Sequence, residues 1–202
     1  TARVPYPLSP AQVRAPARSA PCITARHARV AFEFAPAHRP RDRQQMSRIR
    51  THAIRELEAN DIPFRLLVQA HKAKNVEEAA AERGVPTRQV VKTLLLRRPD
   101  RQHVVALVRG DQRLSLKKLA RMLDVKSIDL APESDVPRIT GYQIGAVAPL
   151  GLRRAHVPIY VDHQIVEATR VSISAGRHDA GIELASEDLV RAVSGRVADI
   201  TE

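Results

Sequence analysis

The chain has 202 residues, 44% hydrophobic and 3% aromatic, with no Trp, a single Cys and a formal net charge of +11. That length suffices for one domain with a real core plus extra chain. No run approaches 18 consecutive apolar residues, so there is no candidate for a helical membrane span; Cys22 alone excludes an internal disulfide or a cysteine-built zinc site, and so few aromatics argue against nucleic-acid binding on stacking platforms.

Residues 1–46 hold seven of the fourteen prolines and no sustained period, so they are expected to be a disordered Arg/Pro-rich extension. Residues 1–50 carry ten Arg and two acids (net +8), leaving 23 bases and 20 acids (net +3) for the rest. Most of the positive excess is therefore in the extension, and the body does not require a nucleic-acid partner on bulk charge alone. Three origins fit the extension: sequence upstream of a start at Met46, an Arg-rich transit peptide, or a basic nucleic-acid-binding arm. The first is favoured because Met46 stands just before the first helical pattern, and a cytoplasmic location is then expected; a transit peptide would make it organellar.

From 47 to 202 the pattern predicts one domain. Ser47 is expected to cap a helix running to about Asn60, with Ile49, Ala53, Ile54 and Leu57 as its apolar stripe. Phe64–Gln69 reads as a strand, with His71 and Lys72 in the loop after it. Asn75 caps a helix over Val76–Arg83 that Gly84 ends. Gln89–Leu96 is a strand, followed after a turn by a strand over His103–Arg109. Ser115 opens a helix, Ser127–Leu130 is a short strand, and residues 132–137 form one helical turn. Strands are expected at Pro158–Asp162 and Thr169–Ser174, a polar loop at Ser174–Asp179, and a brief strand at Ile182–Leu184. A helix starts at Ser186 and is closed by Gly195, and Val197–Ile200 is a last strand. Hairpins mixed with helices point to an α+β fold with a mixed sheet rather than a doubly wound parallel one.

One residue breaks the pattern. Lys92 sits inside Gln89-Val90-Val91-Lys92-Thr93-Leu94-Leu95-Leu96, a run apolar enough to be covered on both faces. Val90, Lys92, Leu94 and Leu96 share one face, and Val91, Thr93 and Leu95 the other. A charge in such a place needs an anionic partner, a wet cleft or a ligand, unless its stem carries the ammonium to a sheet edge.

The remaining chemistry is sparse. The histidines lack the paired spacings of a zinc site, and neither a Gly-x-Ser-x-Gly elbow nor a phosphate loop ending in Gly-Lys-Ser/Thr is present. Neither a metal nor another cofactor is expected. Thr93 and Ser174 are candidate hydroxyls, and either type is more often a backbone cap or core hydroxyl. The segment from Thr140 to Gly151 carries three glycines, Gly141, Gly145 and Gly151, which free backbone N–H groups for a carbonyl or oxyanion. An embedded lysine beside such a segment suits an ester whose alcohol half bears phosphate.

The order of motifs carries more than any one of them. Val76-Glu77-Glu78-Ala79-Ala80, Val90-Val91-Lys92-Thr93-Leu94, Thr140-Gly141-Tyr142-x-x-Gly145-x-x-x-Pro149-Leu150-Gly151, Ser174-Ala175-Gly176, Ile182-Glu183-Leu184 with Glu187-Asp188-Leu189, and Ala198-Asp199-Ile200 follow one another in that sequence. Over about residues 49–202 the chain resembles the YbaK-type family, free-standing aminoacyl-tRNA deacylases related to the editing domain inserted in bacterial prolyl-tRNA synthetase. The resemblance implies a single compact α+β domain with a mixed, barrel-like sheet flanked by helices. It implies hydrolysis of the ester of a mischarged aminoacyl-tRNA, with Cys- or Ala-charged proline tRNA as the expected substrate. The partners it implies are the acceptor end of aminoacyl-tRNA and prolyl-tRNA synthetase. By motif position the catalytic residues are expected to be Lys92, Gly145 and Ser174. Thr93, Gly141, Tyr142, Pro149, Gly151, Gly176 and His71 are expected to contact substrate, and Lys72, Lys74, Arg153 and Arg154 to meet acceptor-stem phosphates. Two departures stand out: Ala175 replaces the middle glycine of a Ser-Gly-Gly loop, and Gly181 stands where some members carry an acid. A non-catalytic aminoacyl-tRNA- or synthetase-binding module of the same fold is the alternative.

Overall fold

The computed structural model describes residues 49–202 apart from Ala155. The expected disorder over 1–46 and the expected cap at Ser47 lie outside the described residues.

Local signals place most elements. Helix α1 spans His52–Ala59, capped by Thr51, whose hydroxyl accepts from Ile54 N at 3.4 Å, and it buries Ala53, Ile54 and Leu57. Strand β1 is Phe64–Val68. Helix α2 spans Val76–Arg83, capped by Asn75 and ended by Gly84 at φ +65°. A 3₁₀ turn at Thr87–Gln89 delays β2, which runs Val91–Arg97. Strand β3 is His103–Arg109, α3 is Leu116–Met122 behind its Ser115 cap, and β4 is the two-residue Asp129–Leu130.

Helix α4 runs Asp135–Thr140, later than the turn expected over 132–137. Pro137 does not stop it, because a first-turn N–H has no intrahelical acceptor and its loss costs little there. Strand β5 is Ile159–Asp162 and leads directly into the four-residue α5, His163–Val166, whose start is capped by the Asp162 carboxylate. Sequence periodicity has no purchase on so short a helix.

Strand β6 runs Arg170–Arg177, through the stretch expected as a polar loop from Ser174, and β7 is Ala180–Ala185. Pairing between them shifts register between Ser174 and Arg177, so Ala175-Gly176 is absorbed as a bulge rather than a turn. Helix α6 is Ser186–Val193 and β8 is Arg196–Ala198. Ser186 does not cap α6; its hydroxyl donates to Ala168 O instead. The residue that ends α6 in the left-handed region is Ser194, at φ +48°, one before the expected Gly195.

The strands form two sheets. One is antiparallel, in the order β1-β7-β6; the other is mixed, in the order β4-β2-β3-β5-β8, with β3–β5 and β5–β8 parallel. An isolated parallel bridge between Val90 and Ser172 ties them together, and neither closes into a barrel. The main core lies between the sheets and takes Val91 and Leu95 from β2, Val105 and Leu107 from β3, and Val171, Ile173 and Ile182 from the other sheet. A second core on the far face of the five-stranded sheet packs Leu96, Val104, Ala106 and Val108 against Leu119 and Ala120 of α3. Strand β3 therefore faces apolar packing on both sides, which is why its sequence lacks alternation.

A charged knot ties α4 to β3. Asp135, 6% exposed, accepts from Arg138 at 2.5 Å and lies 2.8 Å from His103 Nε2. The Arg138 guanidinium first, and His103 second, hold its carboxyl down to about 2 from an ordinary 3.8. A carboxyl depressed on folding adds stability that is complete above its unfolded pKa and is lost as pH falls through the folded one. Stability should therefore decline between about pH 4 and pH 2, and Asp135→Asn should flatten that decline while lowering stability at neutral pH. Acid titration of the far-UV circular dichroism of both proteins checks this.

Candidate active site

Strand β2 is the key to the site because only part of it is covered. Strand β4 pairs with Leu96 and Arg97 alone, and β6 meets this edge only through the Val90–Ser172 bridge, so the edge of β2 around Thr93, between the two, has no strand paired to it. The backbone alternates along it: Val90 O accepts from Gly110 N on the β3 side, whereas Leu95 O accepts from Ala131 N on the other. Thr93 shares the parity of Leu95, so its backbone polar groups face the open side. A cavity of about 630 Å³ lies along this edge, within the range of small-ligand sites.

Three chain segments complete the walls. Helix α2 and the loop before it supply Lys74, Asn75, Val76, Ala79 and Arg83; the segment from β4 to Val147 supplies Leu130, Glu133, Val136, Ile144 and Gly145; and the β6–β7 corner supplies Ser174, Arg177 and His178. Lys92 and Thr93, neighbours with opposite side-chain directions, both line it because the cavity wraps around the edge of β2.

Lys92 is half-buried, and its Nζ donates to Gly110 O at 3.1 Å and to Gln112 O in the turn after β3. Burial lowers its pKa, while the Glu77 and Asp111 charges act to raise it and Arg113 adds to the lowering. No carboxylate among the described residues forms an ion pair with it. Thr93 Oγ1 is buried with no hydrogen-bond partner among the described residues. A buried hydroxyl without a partner is costly, and one that borders a cavity has a place for a ligand. Ser174 Oγ accepts from Gly176 N at 3.1 Å across the β6 bulge, which leaves its own proton to donate outward. Gly145, at φ +80°, is covered by the His178 ring: a Cβ there would stand 3.1 Å from Cε1.

Of the residues singled out from sequence, Lys92, Thr93, Gly145 and Ser174 meet at this cavity, and so does Lys74. The others stand behind or beside it. Gly141 ends α4 against Arg153. Tyr142 is 5% exposed, donates to Leu150 O at 2.6 Å, and has its phenol pushed up by burial. Pro149 is buried, and Gly151 packs on His52 while its N–H donates to Glu56. Gly176 packs on the Tyr142 ring. The exposed His71 lies 3.1 Å from Glu82.

Among the cavity residues that the sequence did not single out are Arg83 and His178. Arg83 follows Val76, Ala79 and Ala80 at helical spacing of seven, four and three, so it continues the inward stripe of α2. That spacing was available as a signal. His178 had none, because its place depends on the bulge in β6.

Residues 70–192 match the model of the aminoacyl-tRNA editing domain. The chain is 29% identical over 154 residues to the "Putative Cys-tRNA(Pro)/Cys-tRNA(Cys) deacylase EbsC" of Enterococcus faecalis, covering 75% of this chain and 93% of that protein. It is 34% identical over 128 residues to a proline–tRNA ligase of Desulforamulus reducens, covering 63% of this chain but only 21% of the ligase. Among solved structures, a "putative trans-editing enzyme for prolyl tRNA synthetase" superposes with TM-score 0.69 at 25% identity, covering 75% of this chain and 95% of that one. A hypothetical protein superposes with TM-score 0.70 at 28% identity, covering all of its own chain. With the family model spanning more than half of its length and the cavity built from that same stretch, the chain belongs to the aminoacyl-tRNA editing domain family.

Proposed function

We propose that the protein is a trans-editing deacylase that hydrolyses the ester of a mischarged aminoacyl-tRNA, with Cys- or Ala-charged proline tRNA as its substrate. The observation that carries this reading is the convergence of Lys92, Thr93, Gly145 and Ser174 on one cavity. In this reading water adds to the ester carbonyl carbon, the bond to the ribose oxygen breaks, and a proton from the water ends on that ribose hydroxyl. Where the amino acid is Cys, its own thiol is the competing nucleophile.

Ser174 has no imidazole within hydrogen-bond reach among the described residues, so its role is to orient water or substrate rather than to attack. Lys92 holds the phosphate or ribose end, and backbone N–H groups around Gly145 receive the charge that develops on the carbonyl oxygen. An activated ester needs less help than an amide, so no nucleophile triad is required. Amino-acid choice is steric and modest, since one methylene in an apolar pocket is worth about 1–3 kcal/mol. The reading puts the protein in the cytoplasm, where prolyl-tRNA synthetase charges its tRNA. The test is a panel of Cys-, Ala-, Ser- and Pro-charged tRNAs incubated with purified protein; equal background decay of all four would end the proposal.

Thr93 separates chemistry from stability. Thr93→Val removes a buried hydroxyl that has no partner in the fold, so the melting temperature should hold or rise. Single-turnover deacylation should fall by about tenfold if that hydroxyl bonds to substrate or water, a loss on the scale of one hydrogen bond.

A further inference from the structure

Arg83 has no role in the chemistry described so far, yet its position is unusual. Arg83 lines the cavity from the last turn of α2, and every hydrogen bond its guanidinium makes goes to a neutral acceptor: Gln69 Oε1 at 3.2 Å, Ser172 Oγ at 3.3 Å and Ile173 O at 3.3 Å. Among the described residues no carboxylate forms an ion pair with it, and its Nη2 has no hydrogen-bond acceptor. Burial alone pulls its pKa down to about 10, so at neutral pH it remains a cation without a counter-charge.

The neighbouring chain makes room for it. A Cβ on Gly181 of β7 would lie 2.5 Å from Arg83 Nε and 2.7 Å from Cζ. Any side chain at 181 would displace the guanidinium, so Gly181 and Arg83 act as a pair. Gly181 is also the register partner of Ser174, which puts the cation beside the corner that supplies the Ser174 hydroxyl.

We propose that Arg83 is a substrate-positioning residue that binds an oxyanion of the bound aminoacyl-tRNA end through its free guanidinium edge, and that Gly181 is the residue that admits it. A planar guanidinium held by fixed neutral acceptors keeps its remaining donors pre-oriented, which suits two-oxygen recognition of phosphate or carboxylate. The oxyanion has two sources in such a substrate: the phosphate of the terminal nucleotide, or a side-chain carboxylate on the amino acid. The proposal rests on the deacylase reading for its substrate, but not for the anion site itself.

The test compares wild type, Arg83→Leu and Arg83→Lys, with 5′-AMP and adenosine as binding probes, since 5′-AMP is the terminal nucleotide of tRNA with its phosphate. A phosphate source predicts that wild type binds 5′-AMP about tenfold or more tightly than adenosine, that Arg83→Leu abolishes the difference, and that Arg83→Lys retains part of it. A carboxylate source predicts no such difference, but a preference for Asp-charged over Ala-charged tRNA in wild type that Arg83→Leu abolishes. A purely structural strut predicts a lowered melting temperature in Arg83→Leu with ligand preferences unchanged, and that result overturns the proposal. If wild type deacylates nothing, the deacylase reading fails on its own and the 5′-AMP comparison decides the site: a phosphate-dependent gain that needs Arg83 upholds it, and no gain overturns it.

Discussion

Replacing Lys92 with Met should lower single-turnover deacylation by about 100-fold or more while the fold survives. Removal of one pre-oriented charge-stabilising group from an active site costs about 10²–10³ in rate. Methionine keeps much of the stem and its packing on the β2 face but cannot attract an anion. The two carbonyls that hold Nζ, Gly110 O and Gln112 O, lie in a turn where water can replace the ammonium, so the loss of stability should be small. Rapid-quench deacylation with enzyme in excess, beside a melting curve, separates the two effects. A rate within twofold of wild type would remove Lys92 from the mechanism and leave the non-catalytic binding module as the better reading.

Lys92 also shows what a sequence can and cannot tell. The conflict between its charge and its surroundings was visible, as was its place next to Thr93 on opposite faces. Its resolution was not visible, because it depends on tertiary placement: β4 is too short to cover the edge of β2, and the turn after β3 brings two carbonyls over the end of the side chain. The same limit explains the segment from Gly141 to Gly151. Motif order marked the whole segment, but of the residues it singled out there only Gly145 lines the cavity, beside Ile144 and Val147, and Tyr142, Pro149 and Gly151 are consumed in packing behind it. Pattern reading weighs all members of a motif alike, whereas the fold divides them into a wall and its support.

Ala175 and Gly176 divide in the same way. The Ala175 side chain is 0% exposed and joins the core between the sheets, so a methyl at the middle position of the Ser-x-Gly stretch has a place to go. Position 176 has none. Gly176 sits at φ +87°, and a Cβ there would lie 2.4 Å from Cε1 of Tyr142. The ring cannot easily retreat, because its hydroxyl is anchored to Leu150 O at 2.6 Å.

Gly176→Ala should therefore destabilise the protein by about 2–5 kcal/mol, combining about 1–2 for a left-handed non-glycine residue with about 1–3 for overpacking. It should also impair deacylation, since the bulge that shifts carries the Gly176 N–H that holds Ser174 Oγ. Urea unfolding measures the first effect and single-turnover kinetics the second. A Tyr142→Leu background distinguishes steric conflict from backbone strain. If the ring is the obstacle, the double variant should be more stable than the sum of the two single changes allows, because contacting sites couple by about 0.5–3 kcal/mol. Strict additivity would assign the whole cost to the positive φ and would mean that Tyr142 does not set the shape of the corner carrying Ser174.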